Sequence, residues 1–507
     1  MNSRRQFLKL PAPWLLAAGA RAAIPPRPTK AIPLLLGNWA DPSILKDGSD
    51  YYMTHSSFDH QPGLLVWHSR DLRRWKPLSR AVVNQKGTIW APEIIKHNGR
   101  YCIYYPATDS GSATNWVVTA DSPAGPWSPA QPLGVGHIDP GHVVGDDGKR
   151  YIHLSGGRVV EMSPDGVRAT SAAKQIYGGW PIPDDWAIEC MCLESPKLLK
   201  RGGWYHLMSA QGGTAGPSVS HMVVSARSRT PLGPWENSPH NPIIRTWSRD
   251  EQWWSKGHGT LVEGPDRQWY CVLHGFLNGQ RTLGRCTLIE PIEWTADGWY
   301  KAAAHWPRGW ERPVTVDMPL SDDFRSKQLG IQWSFHQHYD PARFALTGDS
   351  MELNAMGATP GESRPLCVMP LDASYEIEVD VEAEAGATAG LMLFSGAREY
   401  LGLAVSKDGV VRRVQNGHRR YARTDEPSIG GARATLRIVN EGQDIRFYYR
   451  DASAQWKVMQ PAMDISTGGV LQAALFASGG GKGRFRAFRY RALGTSRLVP
   501  DAAPRKG

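Results

Sequence analysis

Three carboxylates and one histidine recur at one kind of place in this chain. Asp41 in "NWADPSIL" and Asp139 in "HIDPGHVV" each stand before a proline that opens an apolar run. Glu194 in "LESPKLL" stands one residue before the matching Ser195-Pro196, and His258 in "KGHGTLVE" opens a fourth such run. Carboxylates brought close together in a partly dry site cannot all ionise freely, so at least one pKa is driven upward and that group keeps a proton near neutral pH. A protonated acid facing an ionised one is the pair that breaks a glycosidic bond: one protonates the leaving oxygen and the other handles the attacking group.

The elements that must position these residues form an internal repeat. "DPSILKDGSDYYMTHSS", "APEIIKHNGRYCIYYPA", "DPGHVVGDDGKRYIHLSG", "SPKLLKRGGWYHLMSAQ" and "HGTLVEGPDRQWYCVLHG" each read as an apolar strand, a Gly-containing turn and an aromatic-rich strand. Each is therefore expected to be a β-hairpin. Alignment stacks Asp41, Ala91, Asp139, Ser195 and His258 just before the first strand, at intervals of about 50 to 60 residues. That spacing accommodates one four-stranded sheet per repeat, the signature of a five-bladed β-propeller, whose innermost strands begin near a common axis. A lone Asp before Pro is explained by turn chemistry. Acids or a His at the convergent place in four of five repeats are not. Trp39, Phe58 and Trp90 flank these blade starts and are expected to cover the apolar face of a sugar.

With 507 residues, 21 tryptophans, 53 glycines and 38 prolines, the chain has the composition of an all-β protein of about two domains. Residues 1–22, "MNSRRQFLKLPAPWLLAAGARA", carry Arg4-Arg5, a short apolar run and an Ala-Arg-Ala site, the pattern of a twin-arginine signal peptide. The chain is thus expected to be exported, to a periplasmic or extracellular location. No apolar run reaches about 18 residues, so no membrane association is expected after cleavage. The net charge of +10 falls to +6 without Arg4, Arg5, Lys9 and Arg21. It gathers in no basic, aromatic-interleaved block, which argues against nucleic-acid binding. The six cysteines show no zinc-type spacing. Cys190 and Cys192 are expected to point to opposite strand faces and to serve as packing thiols rather than as a disulfide.

After Tyr300 the pattern changes. Residues 306–319 form a Pro-containing connector, and 320–495 contain alternating strands such as "SYEIEVDVEAEA", "AGLMLFS" and "DIRFYYR". Period-two alternation predicts two stacked antiparallel sheets, a β-sandwich of jelly-roll type. The segment "SFHQHYDPARF", 334–344, reads as a surface loop.

Across residues 30–305, "ADPSI", "WAPEI", "IDPGHVVGDDGKRYI", "LESPKLLKRGGWYHLMSA", "GHGTLVEGPDRQWYCVLHG" and "LGRCTLIEPIEWTADGW" follow one another in an order that resembles glycoside hydrolase family 43. This is the family of five-bladed propeller β-xylosidases and α-L-arabinofuranosidases. The later strands, with "DDF", "IQW" and "AGLMLF", resemble the concanavalin-A-like sandwich appended to many of its xylosidases. The resemblance implies Asp41 as general base, Glu194 as general acid and Asp139 as the group that raises the acid's pKa. It implies Phe58 as a wall of the sugar pocket and Arg285 as a ligand of a sugar hydroxyl or a source of positive potential. His258 would support either a structural calcium or an ordered water at the propeller centre, with no cofactor required for the reaction. Glu189 is the rival for the acid, and Glu93 reads as a supporting carboxylate. Family members invert the anomeric centre, which sets base and acid on the order of 6.5 to 9.5 Å apart. The expected activity is removal of terminal xylosyl or arabinofuranosyl units from xylan, arabinoxylan or arabinan fragments. Alternatives are a non-catalytic sugar-binding propeller and an arabinanase- or galactosidase-type activity.

Overall fold

A computed structural model describes residues 31–109, 111–417, 426–451, 453–464 and 469–494; the signal peptide expected over 1–22 lies outside them. The described residues are almost wholly β, with three single-turn 3-10 helices. No helix among them is long and apolar enough to cross a membrane.

Each of the five predicted hairpins forms the inner half of its own sheet. Ser43–Asp47 pairs with Asp50–Thr54, Glu93–His97 with Arg100–Asp109, and Gly141–Val144 with Arg150–Leu154. Cys190–Arg201 pairs with Trp204–Gly212, and Trp253–Glu263 with Trp269–Leu277. Their first strands pack side by side around the axis. The ring is closed by Ile32–Leu35, which supplies the outer strand of the fifth blade by pairing with Arg285–Trp294. Apolar side chains between blades, among them Ile94, Ile103, Ile152, Leu207 and Val223, are at most 2% exposed. Burial of that order, at roughly 25 cal/mol per Å² of apolar surface, holds the blades rigid around the axis.

The connector is structural. Thr315–Val316 adds a parallel outer strand to the first blade, and Trp310 Nε1 donates to Tyr270 Oη at 2.9 Å. Two seven-stranded sheets follow as a sandwich. One of them takes in His60–Gln61 from the first blade, which pairs with Trp333–His336. Residues 334–336 are therefore no surface loop: Ser334, Phe335 and His336 are each 7% exposed or less. A strand edge offered by the propeller satisfies backbone groups that the open sheet would otherwise leave unpaired.

Candidate active site

The blade starts share a backbone device. Asp41, Asp139, Ser195 and His258 have φ of 58°, 58°, 52° and 56°, left-handed values that non-glycine residues rarely adopt. Four repeats thus hold the same disfavoured conformation, just before the inner strand at Asp41 and Asp139 and at a register break inside a longer inner strand at Ser195 and His258, a form of strain that concentrates at functional sites. Ala91, the remaining blade start, does not share it.

All the blade starts but Ser195, whose neighbour Glu194 takes its place, line one pocket of about 260 Å³, with Asp41, Phe58, Trp90, Asp139, Glu194, His258 and Arg285 all in its wall. Asp41 is 5% exposed. Its Oδ1 accepts from Arg285 Nη1 at 2.7 Å and its Oδ2 from Ser56 Oγ at 2.5 Å, while its backbone N–H donates to His274 Nδ1 at 3.0 Å. Burial by itself would raise its pKa; Arg285, then His258 and His274, outweigh it and hold the carboxyl well below the usual range. Asp41 therefore stays ionised, with a lone pair on Oδ2 still free to take a proton.

Glu194 has the opposite environment. Half-buried and without a cation in contact, it is pushed up to about 7, first by burial and then by the charge of Asp139. Asp139 itself is fixed by the Ser195 N–H at 3.0 Å and by His258 Nε2 at 3.3 Å. His258 Nε2 also lies 3.9 Å from Asp41 Oδ1. Burial opposes the charged form of His258, yet Asp41, Asp139 and Glu194 together raise its pKa.

The remaining expected residues divide. Phe58 is locked by paired backbone hydrogen bonds with Ile89, and the Arg285 guanidinium lies 5.5 Å from its ring centre. Trp90, 36% exposed, presents its ring at the rim. Trp39 does not line the pocket: its indole packs edge-on against Trp67, ring centres 5.1 Å apart, in the core. Glu189 lines the lip, but its Oε2 accepts from the backbone N–H of Ala215 and Gly216 at 2.7 and 3.0 Å, so it staples a loop. Glu93 is held by Ser43 Oγ at 2.9 Å and by Lys197 Nζ at 2.5 Å, outside the pocket. Ser56 and His274 were not foreseen. Ser56, in "THSS", lies two residues past Asp50–Thr54, and His274, in "VLHG", lies within Trp269–Leu277 opposite Gly257, so antiparallel pairing returns both to the axis.

Cys190 and Cys192 form a disulfide, contrary to expectation. Residues i and i+2 of a strand share a face. A bulge, in which residues 191–193 stand opposite Gln211 alone, and Cys192 at φ 26° bring the two Cα atoms to 5.2 Å.

Calcium does not fit the centre as described. It takes six to eight oxygens, whereas the buried groups without a partner there are the ring nitrogens His221 Nε2, His258 Nδ1 and His274 Nε2 and only two hydroxyls, Ser195 Oγ and Ser255 Oγ. Among the described residues no cluster of His, Cys, Asp and Glu is arranged to hold a metal.

The chain is 31% identical over 352 residues to the non-reducing end alpha-L-arabinofuranosidase BoGH43B of Bacteroides ovatus, a match covering 64% of each chain, so it spans less than two thirds of that relative. It is 28% identical over 502 residues to xylosidase/arabinosidase 43B of Humicola insolens, covering 86% of this chain and 89% of the other. The crystal structure of the BlXynB protein of Bacillus licheniformis superposes with a TM-score of 0.82 at 26% identity, covering 92% of this chain and 100% of that one. Residues 321–476 match the beta xylosidase C-terminal concanavalin A-like domain. With residues 31–300 matching the model of glycosyl hydrolases family 43, the chain belongs to that family.

Proposed function

We propose that the chain is an inverting glycoside hydrolase that removes terminal xylosyl or arabinofuranosyl units from plant cell-wall oligosaccharides such as xylan, arabinoxylan or arabinan fragments. One observation carries this reading: a single pocket holds one carboxyl below and another above the ordinary range, at Asp41 and Glu194. Near neutral pH the first is ionised, while about half of the second still carries its proton. Asp41 takes a proton from water as it attacks the anomeric carbon, and Glu194 gives its proton to the departing oxygen. Asp139 keeps Glu194 protonated until that moment. Arg285 and Phe58 offer a donor and an apolar face to the sugar, and the names of the Bacteroides ovatus and Humicola insolens relatives support a pentosyl unit. A pocket of about 260 Å³, below the usual range for ligand pockets, suits one terminal unit. Export through the twin-arginine leader would bring the enzyme to such substrates.

The test is hydrolysis of aryl β-xylopyranoside and aryl α-arabinofuranoside, with NMR of the first-formed anomer and a product screen on xylo-oligosaccharides, arabinoxylan and arabinan. Release of monosaccharide with inverted configuration is expected. Binding of these sugars without hydrolysis would return the propeller to a non-catalytic lectin role.

A further inference from the structure

The strand that presents Glu194 also carries the Cys190–Cys192 disulfide, the one disulfide among the described residues. The free cysteines, Cys102, Cys271, Cys286 and Cys367, are all buried. The disulfide differs in three ways. Cys192 lines the pocket beside Glu194, and Met191 between the two sulfurs is 51% exposed, so solvent reaches this stretch. Cys190 Sγ lies against the facing lip, where a Cβ on Gly213 would come within 2.9 Å of it. The cross-link also spans the bulge that decides which way Glu194 faces: Cys190 is in register with Gly212 and Glu194 with Ala210, leaving three residues opposite one. Cys192, at φ 26°, sits at the tightest point.

We propose that Cys190–Cys192 is a reversible redox site, reducible by small dithiols from the pocket side, and that its reduction displaces Glu194 and lowers activity. The inference rests on the reading of Glu194 as the acid. A dithiol thiolate attacks Cys192 Sγ, the Cys190–Cys192 bond breaks as a mixed disulfide forms, and the reagent's second sulfur closes on its first. Two electrons pass to the protein, the two thiol protons of the reagent end on the cysteines, and the reagent leaves as a cyclic disulfide. Without the cross-link only the backbone through Met191 joins residues 190 and 192 across the bulge. The left-handed backbone at Cys192 is then free to relax toward extended geometry, which re-aims the side chain two residues on. A misplacement of about 1 Å at a reacting group costs up to about 10²-fold in rate.

The test uses the full-length native protein with and without dithiothreitol. Accessible thiols are counted with an aromatic disulfide reagent after the reductant is removed, and aryl-pentoside hydrolysis is followed from about pH 5 to 9. Reduction is expected to add two reactive thiols, to lower kcat by about 10-fold or more, and to move the alkaline limb of the pH profile; reoxidation restores both. A Cys190→Ser/Cys192→Ser variant is expected to show the low kcat whether or not reductant is present. The wild-type comparison stands by itself should that variant not fold. Two outcomes overturn the redox site alone: no thiols appearing under native conditions, or two appearing with kcat and the pH limb unchanged within about twofold. An untreated protein that hydrolyses neither glycoside overturns the proposed function, and with it the link from this disulfide to catalysis.

Discussion

Carboxylates face cations in both halves of this molecule, with different consequences. On one sheet of the sandwich, Glu378 meets Arg437 and Arg489 at 2.7 Å each, Glu352 meets Arg484 at 2.5 Å, and Glu376 meets Arg491 at 3.0 Å. These are direct cross-strand partners, and the arginine side chains reach 56% and 65% exposure at positions 489 and 491. Water and salt screen such pairs, so each contributes a fraction of a kcal/mol. In the propeller the partners are buried, and two of the three pairs, Lys197–Glu93 and Asp41–Arg285, join different blades, while Lys256–Glu290 lies within the fifth. Lys197 and Glu93 are 5% and 10% exposed, Lys256 and Glu290 5% and 0%, and Asp41 is 6% exposed beside Arg285. There a missing partner leaves a buried charge uncompensated, and a carboxyl without a cation, Glu194, keeps its proton instead. The same residue types thus make a surface ladder in one region and an acid–base pair in the other, according to burial and to whether strands or blades bring them together.

Five substitutions would break or sharpen this contrast. The largest effect is expected for Asp41→Asn and Glu194→Gln, each lowering kcat on aryl pentosides by about 10³-fold or more while thermal melting stays cooperative. The Glu194→Gln loss should shrink for a dinitrophenyl leaving group, which needs little protonation; equal losses on both aglycones would contradict its role as acid. Next, Lys197→Met should cost about 3–5 kcal/mol in denaturant unfolding of the propeller, because Glu93 would be left charged in the core. Asp139→Asn should then shift the pH profile. Activity requires a protonated Glu194 and so falls as pH rises through about 7. Removing the Asp139 charge lowers that pKa, so the alkaline fall should start at lower pH, as a pH–kcat series would show. The smallest effect belongs to the sandwich: Glu352→Gln should change stability by less than about 1 kcal/mol and leave kcat unaltered.

The propeller was legible because its signals are local. Turn residues between two apolar runs define each hairpin, and their regular spacing counts the blades. Asp41, Asp139, Glu194 and His258, with Phe58 and Trp90 beside them, could be named for the same reason, since equivalent places in repeats converge; Arg285 came from the family resemblance. What escaped depends on direction rather than on place. Trp39, two residues from Asp41, looked equally suited to a sugar face, but the neighbouring Trp67 draws it into the core. Ser56 and His274 contact Asp41 from the second strands of hairpins, at places that no local motif marks. The Cys190–Cys192 link depends on a bulge that only the register against Trp204–Gly212 reveals. Residues 334–336 read as a loop because their partners are remote in sequence, Leu366–Val368 in the sandwich and His60–Gln61 in the propeller.

By itself, then, the sequence determined the repeat, the sandwich and the set of groups able to do acid–base chemistry, because hairpin turns, alternation and blade spacing are written in neighbouring residues. Only the tertiary structure decided which carboxyl is ionised and which keeps its proton. Those states depend on burial and on charges delivered from other blades, Arg285 to Asp41 and Asp139 to Glu194, across separations of 244 residues in the first case.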